Sequence, residues 1–381
     1  MVVPFNQQHY TGKELQYIQD CMNSGRISGD GKYTTACQQF FEGKYHFKKT
    51  FLTTSCTDSL EMAALLLQIE PGDEVIAPSY AFVSTVNPFV LRGAKIIFAD
   101  SLPDHPNADI NHIKSLISPR TKAVVVVHYA GVAVDMDPLL TLSEKHGFAV
   151  VEDAAQAIDS WYLGREGKKP LGACGDLGCF SFHETKNIMA GEGGMLSIAN
   201  TEYSDRAEIL REKGTNRSAF FRGQVDKYNW VDIGSSFLPS DIIAAFLYAQ
   251  LENLEDIQQR RIYIWNRYFS NLQDLESAGY LKRPVLPSFA TQNGHMFYIL
   301  CRDLEERTRL IEHLKSAGIN AVFHYISLHA APYFQASHDG RPLPETDRYT
   351  DTLLRLPLFY ELQDEQVDYI CDTIRAFYKG K

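Results

Sequence analysis

Between residues 50 and 153, short runs that are apolar throughout alternate with segments of helical spacing, and this alternation restricts the fold more than any other feature of the chain. The apolar runs are Phe51-Leu52-Thr53, Glu74-Val75-Ile76-Ala77, Lys95-Ile96-Ile97-Phe98, Ala123-Val124-Val125-Val126-Val127 and Phe148-Ala149-Val150-Val151-Glu152-Asp153. Helices are expected between them at 57–69, 82–91, 110–117 and 136–146. Strands without polar alternation are buried on both faces, so the pattern predicts an α/β domain: a mostly parallel sheet covered by helices on both sides. Ligands on such sheets gather at the carboxyl ends of the strands.

Three features fall at those ends. The first is Thr54-Ser55-Cys56-Thr57-Asp58-Ser59, where a strand turns into a helix. Hydroxyls and free backbone N–H groups at a helix N-terminus suit a phosphate, although an ordinary helix cap uses the same residues. The second is Asp153, whose carboxylate needs a partner because burying one alone is costly. The third is Gly178-Cys179-Phe180-Ser181-Phe182-His183-Glu184-Thr185-Lys186-Asn187, followed by Gly191-Glu192-Gly193-Gly194. Cys179, Phe180 and Phe182 read as a short buried strand that breaks off into polar residues, with Lys186 just past its end. Lys186 is then either a solvated loop lysine or an amine desolvated beside a ligand, neutral often enough to act as a nucleophile.

The chain has 381 residues, which suggests two domains at ~100–200 residues each. A large α/β domain is expected over 1–250, opening with helical segments at 12–24 and around Phe40 and Phe41 that flank the glycine-rich 25–31. A smaller α+β domain is expected over 251–381, reached through a long helix at 240–269. Net charge is −10 and no run of Lys or Arg clusters on one expected face, which argues against nucleic acid as a partner. The N-terminus lacks the features of a signal peptide and no apolar run approaches ~20 residues, so a cytoplasmic protein without a membrane partner is expected. Seven cysteines, an odd number without CxxC pairs, argue against both a disulfide framework and a metal site. His183-Glu184-Thr185-Lys186 lacks the second histidine of a zinc motif.

No strand is followed by GxGxxG, which weakens a dinucleotide reading. Pyridoxal 5'-phosphate suits the three features better: Lys186 can bond its aldehyde, Asp153 can keep its ring nitrogen protonated, and the Thr57 turn can hold its phosphate. The stretch 214–223, rich in arginine and aromatics, reads as a loop that can clasp a nucleotide diphosphate through Arg217 and Arg222, or as a loop without function. His324-Tyr325 and His329 lie around a strand exit and either face the cleft or pack as ordinary histidines.

With these residues in place, the chain resembles the sugar-nucleotide aminotransferases of the DegT/StrS group, which share the aspartate-aminotransferase fold, fold type I of the pyridoxal phosphate enzymes. The likeness runs essentially end to end. It is carried by Ser55-Cys56-Thr57, Pro78-Ser79-Tyr80-Ala81-Phe82-Val83-Ser84-Thr85, Val151-Glu152-Asp153-Ala154-Ala155-Gln156, Phe180-Ser181-Phe182-His183-Glu184-Thr185-Lys186, and His324-Tyr325 with Leu328-His329. The resemblance implies that Lys186 bonds the cofactor aldehyde and Asp153 pairs with the pyridine nitrogen. It further implies Gln156 near the ring hydroxyl, Phe82 stacked on the ring, and Thr57, Asp58 and Ser181 on the phosphate. Relatives that carry histidine in place of the lysine dehydrate their substrates; Lys186 aligns this chain with the transaminases. The family often has an asparagine that reaches the neighbouring subunit's phosphate, and Leu238 occupies the aligned position.

Through Phe180 to Asn187, Arg211 to Ser218 and Phe221 to Tyr228, the chain most resembles, within the group, enzymes making TDP-4-amino-4,6-dideoxygalactose for the surface polysaccharide enterobacterial common antigen. That likeness implies TDP-4-keto-6-deoxyglucose as acceptor and L-glutamate as donor. It also implies a homodimer whose active sites borrow residues, with Arg217, Arg222 and His329 acting across the interface and His324 near the substrate. An isomeric transaminase giving the gluco product or aminating C3, and a non-catalytic ligand sensor on the same fold, are the alternatives.

Overall fold

The computed structural model describes residues 1–380. In chain order its strands are β1 (Lys49–Thr53), β2 (Glu74–Pro78), β3 (Lys95–Ala99), β4 (Thr121–Val127), β5 (Ala149–Asp153), β6 (Trp161–Gly164), β7 (Gly167–Pro170), β8 (Leu177–Ser181), β9 (Gly194–Ile198), β10 (Phe297–Leu300), β11 (Val322–Phe323) and β12 (Leu353–Leu356). Seven of them form one sheet in the order β1-β9-β8-β5-β4-β2-β3. Strands β8, β5, β4, β2 and β3 are parallel, as the apolar runs predict. Both faces are buried in alternation: Val124, Val126 and Val150 enter one core, and Ala123, Val125 and Val151 enter the other.

The other edge departs from the expected pattern. Strand β9 runs antiparallel to both β1 and β8, so Phe51-Leu52-Thr53 lies at the far side of the sheet from β2. A parallel return needs a long crossover, usually helical, and the segment between β8 and β9 contains no helix. It folds back on itself instead, with Phe182 N–H donating to Gly193 O at 2.8 Å, Ala190 N–H to Phe182 O at 2.7 Å and Glu184 N–H to Gly191 O at 2.9 Å. Lys186 rides on this clamped segment.

Helices α1 (Glu14–Asn23) and α2 (Lys32–Tyr45) pack with the helix Asp241–Glu252 against one face, and α3 (Cys56–Leu66) covers the other. The glycines between α1 and α2 are required by close backbone approach: a Cβ on Gly29 would meet Leu238 Cγ at 2.3 Å, and one on Gly31 the Asp241 carboxyl at 2.5 Å. Asp241 Oδ1 instead accepts from Thr34 N–H and hydroxyl, both at 2.8 Å. The glycine-rich segment is therefore a packed joint.

A third core gathers side chains from Ile264 to Tyr378 together with Val3, around the antiparallel sheet β10-β12-β11. The long helix expected over 240–269 is two helices, Asp241–Glu252 and Leu254–Asn271, interrupted at Asn253, where φ is −109° and ψ 11°. The expected helix over 82–91 is a 3-10 turn followed by Asn87–Leu91, with Pro88 in its first turn. The stretch read as a loop at 214–223 contains the short helix Arg217–Phe221.

One buried carboxylate stiffens the sheet beside Asp153. Glu152, fully buried in β5, accepts from the N–H groups of Gly172, Cys174 and Gly175 at 2.7–2.8 Å and from His128 Nε2 at 2.8 Å. His128 Nδ1 accepts from Val134 N–H at 3.2 Å, which leaves the ring proton on Nε2 for Glu152. Removing the acceptor leaves four buried donors unpaired at about 1–3 kcal/mol each, so Glu152→Ala is expected to destabilise the cofactor-free protein by at least about 3 kcal/mol in urea unfolding. A loss below about 1 kcal/mol, the net value of an ordinary hydrogen bond, would show that the network does not support this region.

Candidate active site

A cavity of about 670 Å³ opens where β4, β5 and β8 end, walled on its far side by β12 and by the 295–296 and 324–325 segments of the smaller sheet region. Lys186, Asp153, Thr57, Phe82, Gln156, Ser181 and His324 all line it. Residues singled out in five separate stretches of the chain therefore meet at one place.

Lys186 sits in the turn after β8, its N–H donating to His183 O at 2.9 Å. The next residue anchors it: buried Asn187 donates to Gln258 Oε1 at 2.8 Å and Asn293 O at 2.9 Å, and its Oδ1 lies 2.8 Å from His295 Nδ1. The amine of Lys186 has no hydrogen-bond or ion-pair partner among the described residues. Burial pushes its pKa below the ordinary lysine value, while the nearby Cys56 thiol and Asp153 carboxyl oppose that shift and the Arg355 guanidinium adds to it. A lysine in this setting holds its neutral, nucleophilic form more readily than one in water.

Asp153 ends β5, with Oδ2 accepting from Thr85 Oγ1 at 2.6 Å and Oδ1 from Ala155 N–H at 3.1 Å. It is buried and forms no ion pair among the described residues. Burial pushes its pKa up, against the pull of those two hydrogen bonds and of the Lys186 charge. An N–H cation placed at this carboxylate would supply the missing partner.

Helix α3 presents its N-terminus to the same space. Its cap is Ser55, whose Oγ accepts from Asp58 N–H at 3.1 Å, while Thr57 Oγ1 donates to Ser84 Oγ at 2.9 Å on the cavity wall. A Cβ on Gly194 would lie 2.3 Å from Ser55 C and O, so only glycine in β9 lets this turn sit against the strand. Ser181 Oγ accepts from His183 N–H at 3.3 Å, Gln156 Oε1 from Ala130 N–H at 2.6 Å, and Gln156 Nε2 donates to the Tyr325 hydroxyl at 3.2 Å. A carboxylate lacking a cation, an amine lacking a partner, and a helix N-terminus with hydroxyls fit the ring nitrogen, aldehyde and phosphate of pyridoxal 5'-phosphate in turn.

The DegT/DnrJ/EryC1/StrS aminotransferase family matches residues 8–375. The chain belongs to that family. Its cofactor is pyridoxal 5'-phosphate, and its fold is that of the type I enzymes using it. It is 32% identical over 380 residues to GDP-perosamine synthase of Escherichia coli O157:H7, covering 100% of this chain and 99% of that one. It is 31% identical over 392 residues to the spore coat polysaccharide biosynthesis protein SpsC of Bacillus subtilis (strain 168), covering 99% and 97%. Among solved structures, the PLP form of the sugar aminotransferase Spr1654 from Streptococcus pneumoniae superposes with a TM-score of 0.90 at 26% identity, covering 100% of this chain and 99% of that one.

Four residues expected at the site of this family member lie elsewhere in the single chain. Asp58 is absent from the cavity wall; it lies in the first turn of α3, and its carboxylate accepts from the Thr54 hydroxyl. Arg217 and Arg222 line a second cavity of about 1040 Å³, where Arg217 Nη1 pairs with Glu212 at 2.9 Å and Arg222 forms a fork on Glu208 with both contacts at 2.7 Å. Leu238 lines that second cavity too. His329 does not line the first cavity; its Nδ1 lies 2.8 Å from Ser79 Oγ and its Nε2 3.4 Å from Asp347.

Ser84 and Thr85, quoted in the 78–85 stretch without a role, line the cavity, as do His295 and Arg355, which sequence reasoning did not single out. For Arg355 a signal existed: it is the one charge in Leu353-Leu354-Arg355-Leu356, an apolar run that forms β12.

Proposed function

We propose that this aminotransferase moves the amino group of L-glutamate to C4 of TDP-4-keto-6-deoxy-D-glucose, giving TDP-4-amino-4,6-dideoxy-D-galactose and 2-oxoglutarate for enterobacterial common antigen. The observation that carries the transamination is the placement of Lys186 and Asp153 on one cavity, each without an ionic partner. The named acceptor is supported by the likeness at 180–187, 211–218 and 221–228, and the GDP-linked sugar in a relative's name supports a nucleotide sugar.

When bound, pyridoxal 5'-phosphate supplies an aldehyde that exchanges amines and a ring that withdraws electrons from the carbon beside the nitrogen. Lys186 Nζ is the amine that would hold the aldehyde at rest and give it up to the donor's amine. Once free, Nζ would take the proton from the donor's amine-bearing carbon, and in the acceptor half the same amine would deliver a proton at C4 of the sugar. Asp153 would hold a proton on the ring nitrogen, Thr57, Ser84 and Ser181 would hold the phosphate, Phe82 would face the ring and Gln156 the ring hydroxyl. His324 faces the substrate. In a cytoplasmic homodimer, Arg217, Arg222 and His329 serve the neighbouring subunit's substrate, which reconciles the distance of the two arginines from the cavity of their own chain.

The test is incubation of the holoenzyme with glutamate and TDP- or GDP-linked 4-keto-6-deoxy sugars, with the product solved by NMR. An axial amine at C4 of the TDP sugar is expected. An equatorial amine, amination at C3 or preference for the GDP sugar replaces the named substrate or product while keeping the transamination; no amine transfer to any of them removes both.

A further inference from the structure

Gln156 is buried just past β5 and is held at both ends. Its backbone carbonyl accepts from Asn293 Nδ2 at 2.8 Å, and its side-chain Oε1 accepts from Ala130 N–H at 2.6 Å. Ala130 lies in the left-handed region at φ 57°, uncommon for a residue with a Cβ and kept only where the surroundings enforce it. A backbone N–H can only donate, so the amide atom facing it must be the oxygen, and the amide nitrogen is left for the other side. Nε2 carries two protons. One goes to the Tyr325 hydroxyl at 3.2 Å; the other has no partner among the described residues, in a side chain that lines the Lys186 cavity.

Tyr325 reaches this amide from the opposite wall. It follows β11 in the smaller sheet, whereas Gln156 follows β5 in the large one. Its ring stands edge-on to the buried rings of Tyr80 and Tyr129, with centroids 5.7 and 6.3 Å away, so packing places the hydroxyl. Burial raises the pKa of that hydroxyl, which stays neutral and can accept from Nε2. The hydroxyls of Thr57, Ser84 and Ser181 on the same cavity can turn to donate or to accept. The Gln156 amide, with its oxygen already taken, offers only N–H.

We infer that Tyr325 is a positioning residue: its hydroxyl, together with the Ala130 N–H, locks the Gln156 amide so that an N–H, and never the carbonyl oxygen, meets the cofactor's ring oxygen. The inference rests on the proposed place of Gln156 at the ring hydroxyl. A donor at that place favours the ring oxygen in its anionic form, because hydrogen bonds to a charged acceptor are the stronger kind. A flipped amide would do the reverse, its oxygen accepting the hydroxyl's proton and holding the ring oxygen neutral. Without the Tyr325 hydroxyl, Nε2 loses the acceptor that fixes one of its protons, and the Ala130 N–H alone restrains the amide.

The test compares two ligands of the cofactor-free protein, pyridoxal 5'-phosphate and the analogue with hydrogen in place of the ring hydroxyl, by fluorescence titration. Native protein is expected to prefer the hydroxylated ligand. Tyr325→Phe keeps the ring and its packing, and should cut that preference by about 2–10-fold, the range of one ordinary hydrogen bond; Gln156→Ala should cut it by about 10–150-fold, the range of one to a charged acceptor. Adding Tyr325→Phe to Gln156→Ala should change the ratio no further, because Tyr325 acts through the amide. A merely structural tyrosine would weaken both ligands alike, so an unchanged ratio in Tyr325→Phe beside a reduced one in Gln156→Ala overturns the positioning role and leaves Gln156 in its place. An unchanged ratio in Gln156→Ala removes Gln156 from the ring hydroxyl and the inference with it. A further drop in the double variant also overturns the indirect role, since Tyr325 would then touch the ring oxygen itself. Should Tyr325→Phe not fold, Gln156→Glu decides: with an oxygen in place of Nε2, the analogue is expected to become the tighter ligand, and a retained preference for the hydroxylated one overturns the donor assignment. No amino donor or sugar nucleotide enters the titration, so failure of the proposed acceptor leaves its outcome untouched.

Discussion

Lys186→Ala is expected to slow transamination by at least about 10²–10⁴-fold, the loss of positioned proton transfer alone. The covalent hold on the aldehyde disappears as well, so the cofactor dialyses away faster. No neighbour can take over. Cys56, the nearby thiol, is pushed well above its ordinary pKa by burial and stays protonated, and His295 and His324 are pushed well below theirs, which makes them weak bases, and both are engaged in hydrogen bonds. The Lys186 amine makes no hydrogen bond among the described residues, so the fold should survive the change. Steady-state rates with glutamate and keto-sugar nucleotide, beside circular dichroism, give the result; a folded variant within tenfold of native would remove Lys186 from the chemistry.

Asp153→Asn is expected to slow both half-reactions by about 10–150-fold, the equivalent of one charge-assisted hydrogen bond to the ring nitrogen. Its effect on stability should change sign with cofactor. In the cofactor-free protein, burial raises the Asp153 pKa above its value of 3.8 in the unfolded chain. A group raised in the folded state contributes stability below the unfolded pKa and loses it as pH rises through the folded one. At neutral pH the ionised carboxylate is therefore a burden that asparagine lifts. Cofactor-free Asp153→Asn should unfold at a higher temperature than cofactor-free native protein at pH 7, and the difference should vanish at acid pH. With cofactor bound the order reverses, because the native carboxylate gains its cation and the variant does not. Thermal unfolding with and without pyridoxal 5'-phosphate tests both halves, and an identical order in the two states would contradict the pairing.

The parallel part of the sheet was legible because each of its strands is apolar on both faces, a pattern no other common layer arrangement demands. Asp153 and Lys186 were legible for the opposite reason, as polar residues at the ends of such strands. What the chain did not display was direction: Met195-Leu196-Ser197-Ile198 reads alike whether β9 runs parallel or antiparallel, and only the helix-free connection before it decides. Arg217–Phe221 was hidden by the polar residues around it. Arg217, Arg222 and Asp58 show the limit of residue matching, since their ion pairs or hydrogen bonds within the single chain turn them to neighbours that no local pattern reveals. Arg355 could have been suspected as a lone charge in an apolar strand, but its place on the cavity wall is a property of what surrounds it in space.

The central claim is that Lys186 bonds the cofactor aldehyde in the cavity it shares with Asp153. Reduction of the holoenzyme with borohydride, followed by digestion and mass spectrometry, reads that bond directly. The expected result is cofactor mass on the peptide containing Lys186; mass on any other lysine, or on none, would contradict it.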